Sequence, residues 1–229
     1  MFIVPMKYCL FFAMLFCVLA SCSKAPTYNG PKPNTPQSLL HDTLGPAIQI
    51  DSIPLAVGNT WQYLYTSDEQ SYFYSVKVVA DTIIKGERAA KVYTYTDSLL
   101  SIAYYSNRAD GYYLLANRYL NPDSLVVLAK PNRILALPNV INNTWNTVDS
   151  TNVRYPEAFG WQWLDYDRIT TVAGSFNCCR LSMDDGIPSY SYYSSKGLVK
   201  KLTFGVNGIQ HVGGVYFIYS TTILTSVNF

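Results

Sequence analysis

Ser71-Tyr-Phe-Tyr-Ser-Val-Lys-Val-Val79 shows a pattern that recurs along this chain and indicates its fold class. Tyrosine and valine occupy every second position from Tyr72 to Val78, and such residues fit a pleated, half-buried strand. Similar runs return at residues 89–96 and 215–224, with turn-forming glycines between them. No window of 11 residues after the N-terminal apolar run has a helical period. The sequence therefore predicts an all-β domain, built as an antiparallel β-sandwich or as one strongly curved sheet.

Three short segments recur in the same order at nearly constant spacing. Pro54-Leu-Ala-Val-Gly-Asn-Thr-Trp61 matches Pro138-Asn-Val-Ile-Asn-Asn-Thr-Trp145, which lies 84 residues further on. The other two matches have a spacing of 88 residues and pair 82–88 with 170–176 and 103–106 with 191–194. Each match alone is weak, and a chain rich in tyrosine and serine gives some by chance. Together they predict two similar halves, with repeat units of about residues 54–117 and 138–204.

The same segments carry a family resemblance. The motifs are Pro54-Leu55-x-x-Gly58-Asn59-Thr60-Trp61-x-Tyr63, Ala173-Gly174-x-Phe176-x-Cys178-x-Arg180-Leu181 and Tyr192-Tyr193-Ser194-x-x-Gly197-Leu198-Val199-Lys200. They are similar to segments of uncharacterised Bacteroidota-type lipoproteins, the TapB-like group of domains of unknown function. The resemblance covers most of residues 54–204. It implies an all-β envelope domain without an established catalytic activity, and it supplies no site residues.

The N-terminus has the parts of a secretory signal peptide, predicted over residues 1–21. Lys7 precedes an apolar run from Tyr8 to Ala20, which is shorter than the roughly 20 residues of a membrane-spanning helix. Leu19-Ala20-Ser21-Cys22 resembles the lipobox of bacterial lipoproteins, in which the cysteine thiol receives a diacylglycerol and becomes the first residue. An ordinary signal peptide with a chance cysteine is the alternative. We expect Cys22 to carry the lipid, which anchors the chain to a membrane.

A proline-rich spacer follows the lipid-bearing cysteine. Residues 22–51 contain five prolines, and proline removes a backbone donor, so we expect a semi-rigid tether before a single domain at 52–229. Ser23, not aspartate, follows Cys22, and in the best-known sorting system this favours the outer membrane. The residues after Cys22 are not acidic, so the sequence leaves open whether the domain faces the periplasm or the cell surface.

Several function classes lack support in the sequence. A net charge of +2 gives no electrostatic reason to expect a nucleic-acid partner. The chain has only His41 and His211, with no Gly-x-Ser-x-Gly turn, no paired metal-ligand spacing and no phosphate-binding glycine loop. We therefore expect neither an enzyme nor a bound metal or cofactor. Adjacent Cys178 and Cys179 predict no disulfide but one buried and one half-exposed thiol.

One strand offers a candidate ligand site. Strand alternation would place Trp161, Trp163, Asp165 and Asp167 on one face, where aromatic plates beside carboxylates could hold a sugar ring. The alternative puts both tryptophans in the core. The two aspartates could also act as a glycosidase pair, which is a weaker hypothesis. A second carboxylate pair, at residues 184–185, is followed by Gly-Ile-Pro and is typical of a turn.

A second pattern concerns modification. Asp-Ser or Asp-Thr followed by an apolar residue or threonine recurs six times and resembles the O-glycosylation motif of Bacteroidota envelope proteins. Thr43 and Ser52 are the leading candidates because they lie near the spacer. The alternative is that these dipeptides simply form turns before strands.

The leading functional hypothesis is an outer-membrane lipoprotein that acts as a non-catalytic binding or interaction module in the cell envelope. Its expected partners are the membrane, through the lipid, and a glycan or an envelope protein. The alternative is an envelope-structural or lipid-handling domain whose sheet offers acyl chains an apolar concavity lined by Leu, Val and Phe. A carboxylate-based glycoside hydrolase is the third and weakest hypothesis.

Overall fold

A computed structural model describes residues 44–120, 123–148, 158–184, 189–207 and 215–229. The predicted signal peptide, Cys22 and Thr43 lie outside these residues. The described chain forms strands joined by short turns, and none of it is a helix long and apolar enough to span a membrane. The strands are β1 (Thr60–Ser67), β2 (Ser71–Ile84), β3 (Glu87–Tyr95), β4 (Leu99–Arg108), β5 (Gly111–Leu120), β6 (Asp123–Ala136), β7 (Thr144–Val148), β8 (Ala158–Thr171), β9 (Gly174–Asp184), β10 (Ser189–Ser194), β11 (Gly197–Asn207) and β12 (Val215–Asn228).

All twelve strands belong to one antiparallel sheet. Its order is β6-β5-β4-β3-β2-β1-β12-β11-β10-β9-β8-β7, so every strand except β1 and β12 pairs only with its neighbours in sequence. β1 pairs with β12 and joins the first six strands to the last six. The predicted all-β class is confirmed, and of the two predicted architectures the single strongly curved sheet is the one observed.

The sheet curves until its two edge strands approach each other. Trp163 of β8 donates its indole N–H to the carbonyl oxygen of Ala136 in β6 at 2.8 Å. The guanidinium of Arg133 in β6 lies 5.9 Å from the ring centroid of Trp145 in β7. Side-chain packing therefore brings together the edge strands β6 and β7, which no backbone ladder joins in the described sheet. We call this contact between the two sheet edges the seam.

The turns that open β1 and β7 have the same geometry. Gly58 has a φ of 101°, and Asn142, 84 residues later, has a φ of 65°. Glycine and asparagine are the residues that most readily adopt this left-handed conformation. Gly58 donates its N–H to Val78 of β2 at 2.9 Å, and Asn142 donates to Trp163 of β8 at 2.8 Å. Each turn thus docks its strand onto the next strand in the same way.

A pair of bulges has the same spacing as the sequence repeat. The register shifts between Tyr104 and Tyr105 in β4 and between Tyr192 and Tyr193 in β10, 88 residues apart. An extra residue on one strand bends it and increases the local twist. Both bulges therefore contribute to the curvature of the sheet at matching positions, and the duplication itself stays a prediction.

Residues 44–53 cross the sheet and pack against it; we call them the strap. Ile50 and Ile53 of the strap are buried, in one cluster with Trp145 and Trp163. At the start of the strap, Gly45 donates its N–H to the carbonyl of Tyr166 at 3.1 Å. The tether predicted to run to residue 51 is therefore too long, and the domain includes the strap. The proline content suggested a spacer, whereas the strap obtains its hydrogen bonds from other segments of the domain.

Two asparagine side chains hold the strap by forming hydrogen bonds with its backbone, as a neighbouring strand would. Asn139 accepts the N–H of Ile50 at 2.6 Å and donates to the carbonyl of Ile48 at 3.0 Å. Asn107 accepts the N–H of Ile53 at 3.1 Å and donates to its carbonyl at 2.7 Å. Each amide supplies both a donor and an acceptor, which is why it can pair with a stretch of extended backbone.

Candidate functional site

Of the two predicted tryptophans, one is fully buried and one is not. Trp163 has no exposed surface, and its ring lies 6.2 Å from that of Tyr193 in an edge-on contact. Trp161 is half-buried and stacks on Trp145, its cross-strand partner, at 6.3 Å. Trp163 is therefore a core residue with no surface left for a ligand, and it also closes the seam between the sheet edges.

A β-bulge separates the tryptophans from the aspartates. Trp163 pairs with Leu181 and Asp167 pairs with Cys178, and the register shifts between Trp163 and Tyr166. Cross-strand partners share a face, whereas Leu181 and Cys178 are three positions apart and point to opposite faces. The expectation that the four residues share one face is therefore wrong, because the extra residue in β8 turns its later part over.

The two aspartates flank one buried arginine. Arg180 Nη2 lies 2.6 Å from Asp165 Oδ2, and Arg180 Nε lies 4.0 Å from Asp167 Oδ2. Asp167 is fully buried, and Arg180 is 7% exposed. Tyr192 pairs with Arg180 across the strands. Burial raises the pKa of the Tyr192 hydroxyl, and the nearby Arg180 lowers it by a smaller amount. This group of side chains fits a buried structural ion pair, whose breakage would leave an uncompensated charge.

Both cysteines of the pair are buried. Cys178 and Cys179 have no exposed surface, and both are free thiols. The prediction that one would be half-exposed is wrong because both faces of β9 are covered: Cys178 belongs to a buried cluster with Ile169, and Cys179 to the cluster with Trp163. Burial raises the pKa of the Cys179 thiol to about 11. In the described part of the chain, no three His, Cys, Asp or Glu side chains form a metal-binding group.

The remaining predicted positions are at the surface or outside the described residues. Ser52 is exposed, between the buried Ile50 and Ile53 of the strap. Thr43, His211 and Asp185 lie outside the described residues. The accessibility that glycosylation would require is thus met at Ser52.

Five tyrosines from five strands converge where the sheet curves, and we call them the tyrosine cluster. Tyr63 and Tyr74 stack at 5.1 Å, and Tyr105 and Tyr112 stack at 4.9 Å. Tyr193 completes the group, since its hydroxyl interacts electrostatically with those of Tyr63, Tyr105, Tyr112 and Tyr74. The first four come from β1, β2, β4 and β5, and Tyr193 comes from β10.

The tyrosine cluster packs within the curved sheet but is not closed to solvent. Burial is the main cause that raises the pKa of each of the five hydroxyls. Nevertheless Tyr74, Tyr105, Tyr112 and Tyr193 all keep part of their surface exposed. Tyrosines that contact one another and still keep exposed surface border an accessible space. We call this space the tyrosine recess.

Three hydroxyls of the recess have no partner within the described structure. Tyr63 donates to the carbonyl of Leu198 at 3.1 Å, and the Tyr74 hydroxyl interacts with Thr222. No hydrogen bond joins the hydroxyls of Tyr105, Tyr112 or Tyr193 to another described residue. None of these three oxygens is among the fully buried unpartnered polar atoms of the described residues, so they remain available to a ligand or to water.

A groove leads to the recess at Tyr105. It has a volume of about 650 Å³ and is lined by residues 55–57, 81, 87–90 and 105–107. Two ion pairs lie at or beside its wall: Arg88 with Asp81 at 2.7 Å, and Arg108 with Glu87 through contacts of 2.8 and 2.5 Å. Tyr105 belongs both to the groove and to the tyrosine cluster, so the groove and the cluster meet at this residue.

The sequence contained only an indirect signal for this site. Tyr105 and Tyr193 lie in the third repeated segment, 88 residues apart, and each follows a bulge. Tyr63 lies within the first motif of the family resemblance. Nothing in the local pattern marks Tyr112, because only the curvature of the sheet brings it to the others.

Comparison with known proteins gives little beyond this geometry. No protein-family model matches the chain, and no curated protein matches it. Among solved structures, the chain is similar to a protein from Parabacteroides distasonis, provisionally called a lipoprotein, with 13% identity and a TM-score of 0.42. That similarity covers 80% of this chain and 100% of the other.

A second solved structure is an exported protein, also provisionally assigned, from Bacteroides fragilis. It is described as having a YmcC-like fold and shares 11% identity with this chain at a TM-score of 0.40. The similarity covers 77% of this chain and 98% of the other. At these TM-scores the likeness is too loose to assign a fold family or a function to this chain.

Proposed function

We propose that this chain is a non-catalytic binding module of the bacterial cell envelope, held on the outer membrane by a lipid on Cys22. Its ligand occupies the tyrosine recess and enters through the groove at Tyr105. Membership of the TapB-like lipoproteins, suggested by three short motifs, is part of the same proposal. The observation that carries it is the set of three recess hydroxyls without a partner in the described structure.

The anchor and the domain fit together in this proposal. Because the strap packs on the sheet, the tether that we propose is limited to residues 22–43. At about 3.1 Å per residue, an extended tether of this length would span at most about 70 Å. The domain would thus stay near the membrane while its groove faces the surrounding space.

We also propose that the two six-stranded halves arose by duplication. The matching turns at Gly58 and Asn142 support this, as do the matching register shifts, in which Leu115 of β5 and Val199 of β11 are the extra residues. The recess draws on both halves, since Tyr105 and Tyr193 occupy equivalent places 88 residues apart. A duplicated sheet closing on itself would bring two equivalent tyrosines to one internal space.

The structure offers less support to the other two hypotheses. The lipid-handling hypothesis expects a concavity lined by Leu, Val and Phe, whereas the recess is surrounded by tyrosines. The hydrolase hypothesis requires Asp165 and Asp167 as a free pair, and both lie beside Arg180. A carboxylate engaged in an ion pair is a poor proton donor, which favours a structural role.

The test measures whether the recess binds any envelope component. The mature protein in phosphatidylcholine nanodiscs is mixed with glycan and lipid fractions from the envelope of its own host, and the Tm is recorded. Ligand that binds only the folded state raises the Tm. We expect at least one fraction to raise the Tm. The size of this increase should change when Tyr105, Tyr112 and Tyr193 are replaced by phenylalanine. If no fraction shifts the Tm of the wild-type protein, the proposed function is wrong.

A further inference from the structure

We infer that the tyrosine recess takes an uncharged saccharide, an inference that rests on the proposed function and names its ligand class. Beside the larger effect of burial, the described groups that act on the pKa values of the five recess hydroxyls are these hydroxyls themselves, Tyr72 and Thr222; no described carboxylate or cation is among them. An ionised ligand would therefore lose its hydration without meeting an opposite charge, at a large cost.

The groove does not supply a free charge to the ligand either. Arg88 and Arg108 are each paired with a carboxylate, Asp81 and Glu87 respectively. Two ion pairs at the mouth make the entrance close to neutral. An anionic lipid head group or a phosphate would have to break one of these pairs to obtain a cation.

The hydroxyls distinguish a saccharide from an acyl chain. A phenol both donates and accepts a hydrogen bond, as does each hydroxyl of a sugar. An acyl chain in the recess would expel water from the hydroxyls of Tyr105, Tyr112 and Tyr193 and leave them unpaired, which is unfavourable for each one. The raised pKa values keep these phenols protonated, so each retains its donor at physiological pH. Aromatic rings beside them suit the apolar faces of a sugar ring.

The experiment removes the three hydroxyls and keeps the rings. The triple variant Tyr105→Phe, Tyr112→Phe and Tyr193→Phe is compared with the wild-type protein, both as mature chains in phosphatidylcholine nanodiscs. Because these hydroxyls have no partner within the described structure, we expect near-UV circular dichroism and Tm without ligand to change little. The probes are glucose, galactose, mannose, N-acetylglucosamine and their disaccharides, with palmitic acid and monopalmitoylglycerol as acyl probes, all measured by calorimetry.

The triple substitution changes the affinity of the recess in opposite directions for a sugar and for an acyl chain. Loss of one neutral hydrogen bond lowers affinity by about fivefold, so the triple variant should bind the preferred sugar at least about tenfold more weakly. An acyl chain would instead bind the more apolar triple variant more tightly. Sugar binding that is absent, or unchanged in the variant, overturns the inference. Acyl probes that bind the wild-type protein, and bind the triple variant still more tightly, also overturn it and leave the proposed binding function standing.

A matched variant controls for the loss of three hydroxyls as such. Tyr93→Phe, Tyr95→Phe and Tyr104→Phe together remove the same number from β3 and β4. Tyr93 and Tyr104 belong to a separate buried cluster, and Tyr104 points to the face opposite its neighbour Tyr105. Sugar affinity should stay within about twofold of the wild-type value in this control. An equal loss of affinity in both triple variants would place the sugar outside the recess and contradict the inference.

Discussion

Replacing Asn139 by alanine tests whether the strap is part of the domain. Asn139 is 6% exposed and supplies an acceptor to Ile50 N–H and a donor to the Ile48 carbonyl. Ile50 is 1% exposed, so its amide would lose its partner where little water can reach. An unpaired buried polar group costs about 1–3 kcal/mol, and the second hydrogen bond contributes about 1 kcal/mol. The free energy of unfolding should therefore fall by about 3 kcal/mol.

Two measurements together locate this effect. Urea unfolding followed by tryptophan fluorescence gives the loss of stability, which corresponds to a Tm lower by roughly 6–12 °C for a domain of this size. Amide hydrogen exchange then shows where protection is lost. We expect faster exchange at Ile50, while Ile53 keeps part of its protection because Asn107 still holds it.

Asn143→Ala is the matched control. The Asn143 side chain is exposed, and the hydrogen bonds of this residue with Val140 and Trp163 use only its backbone. Its stability should stay within about 0.5 kcal/mol of the wild-type value. If Asn139→Ala also leaves stability and Ile50 exchange unchanged, the strap does not dock on the sheet, and the tether extends to residue 51 after all.

Three further predictions concern the anchor, the thiols and one ion pair. Cys22→Ala should move the protein from the detergent phase to the aqueous phase in Triton X-114 separation; retention in the detergent phase would exclude lipid anchoring at Cys22. Iodoacetamide should label Cys178 and Cys179 only in urea, because both are buried and burial raises the pKa of Cys179 to about 11; rapid labelling in native buffer would contradict this placement. Arg108 lowers the pKa of Glu87 below its usual 4.5, so this ion pair stabilises the fold above that pH and loses its effect as the pH falls through the folded-state pKa. The difference in unfolding free energy between the wild-type protein and Glu87→Gln should be under about 1 kcal/mol at pH 7 and vanish near pH 2. A difference that does not change with pH would refute this prediction.

The sequence by itself determined the local structure of this protein. Alternation from Tyr72 to Val78 predicted part of β2, and the repeated segments that end at Trp61 and Trp145 predicted two similar stretches of chain. These features depend on backbone preferences and on the two-residue period of a strand, and both act over a few neighbouring residues. The all-β class follows from them without knowledge of distant contacts.

Tertiary structure alone decided which side chains meet. The alternation of Trp163 and Asp167 predicts a shared face only while the register continues, and the bulge that interrupts it forms against β9. The two thiols are both buried because both faces of β9 are covered by segments distant in sequence. The tyrosine recess requires the curvature of the whole sheet, which brings Tyr63 of β1 to Tyr193 of β10. The anchor at Cys22 is thus a sequence-level prediction, whereas the site that it would hold near the membrane arises from long-range packing.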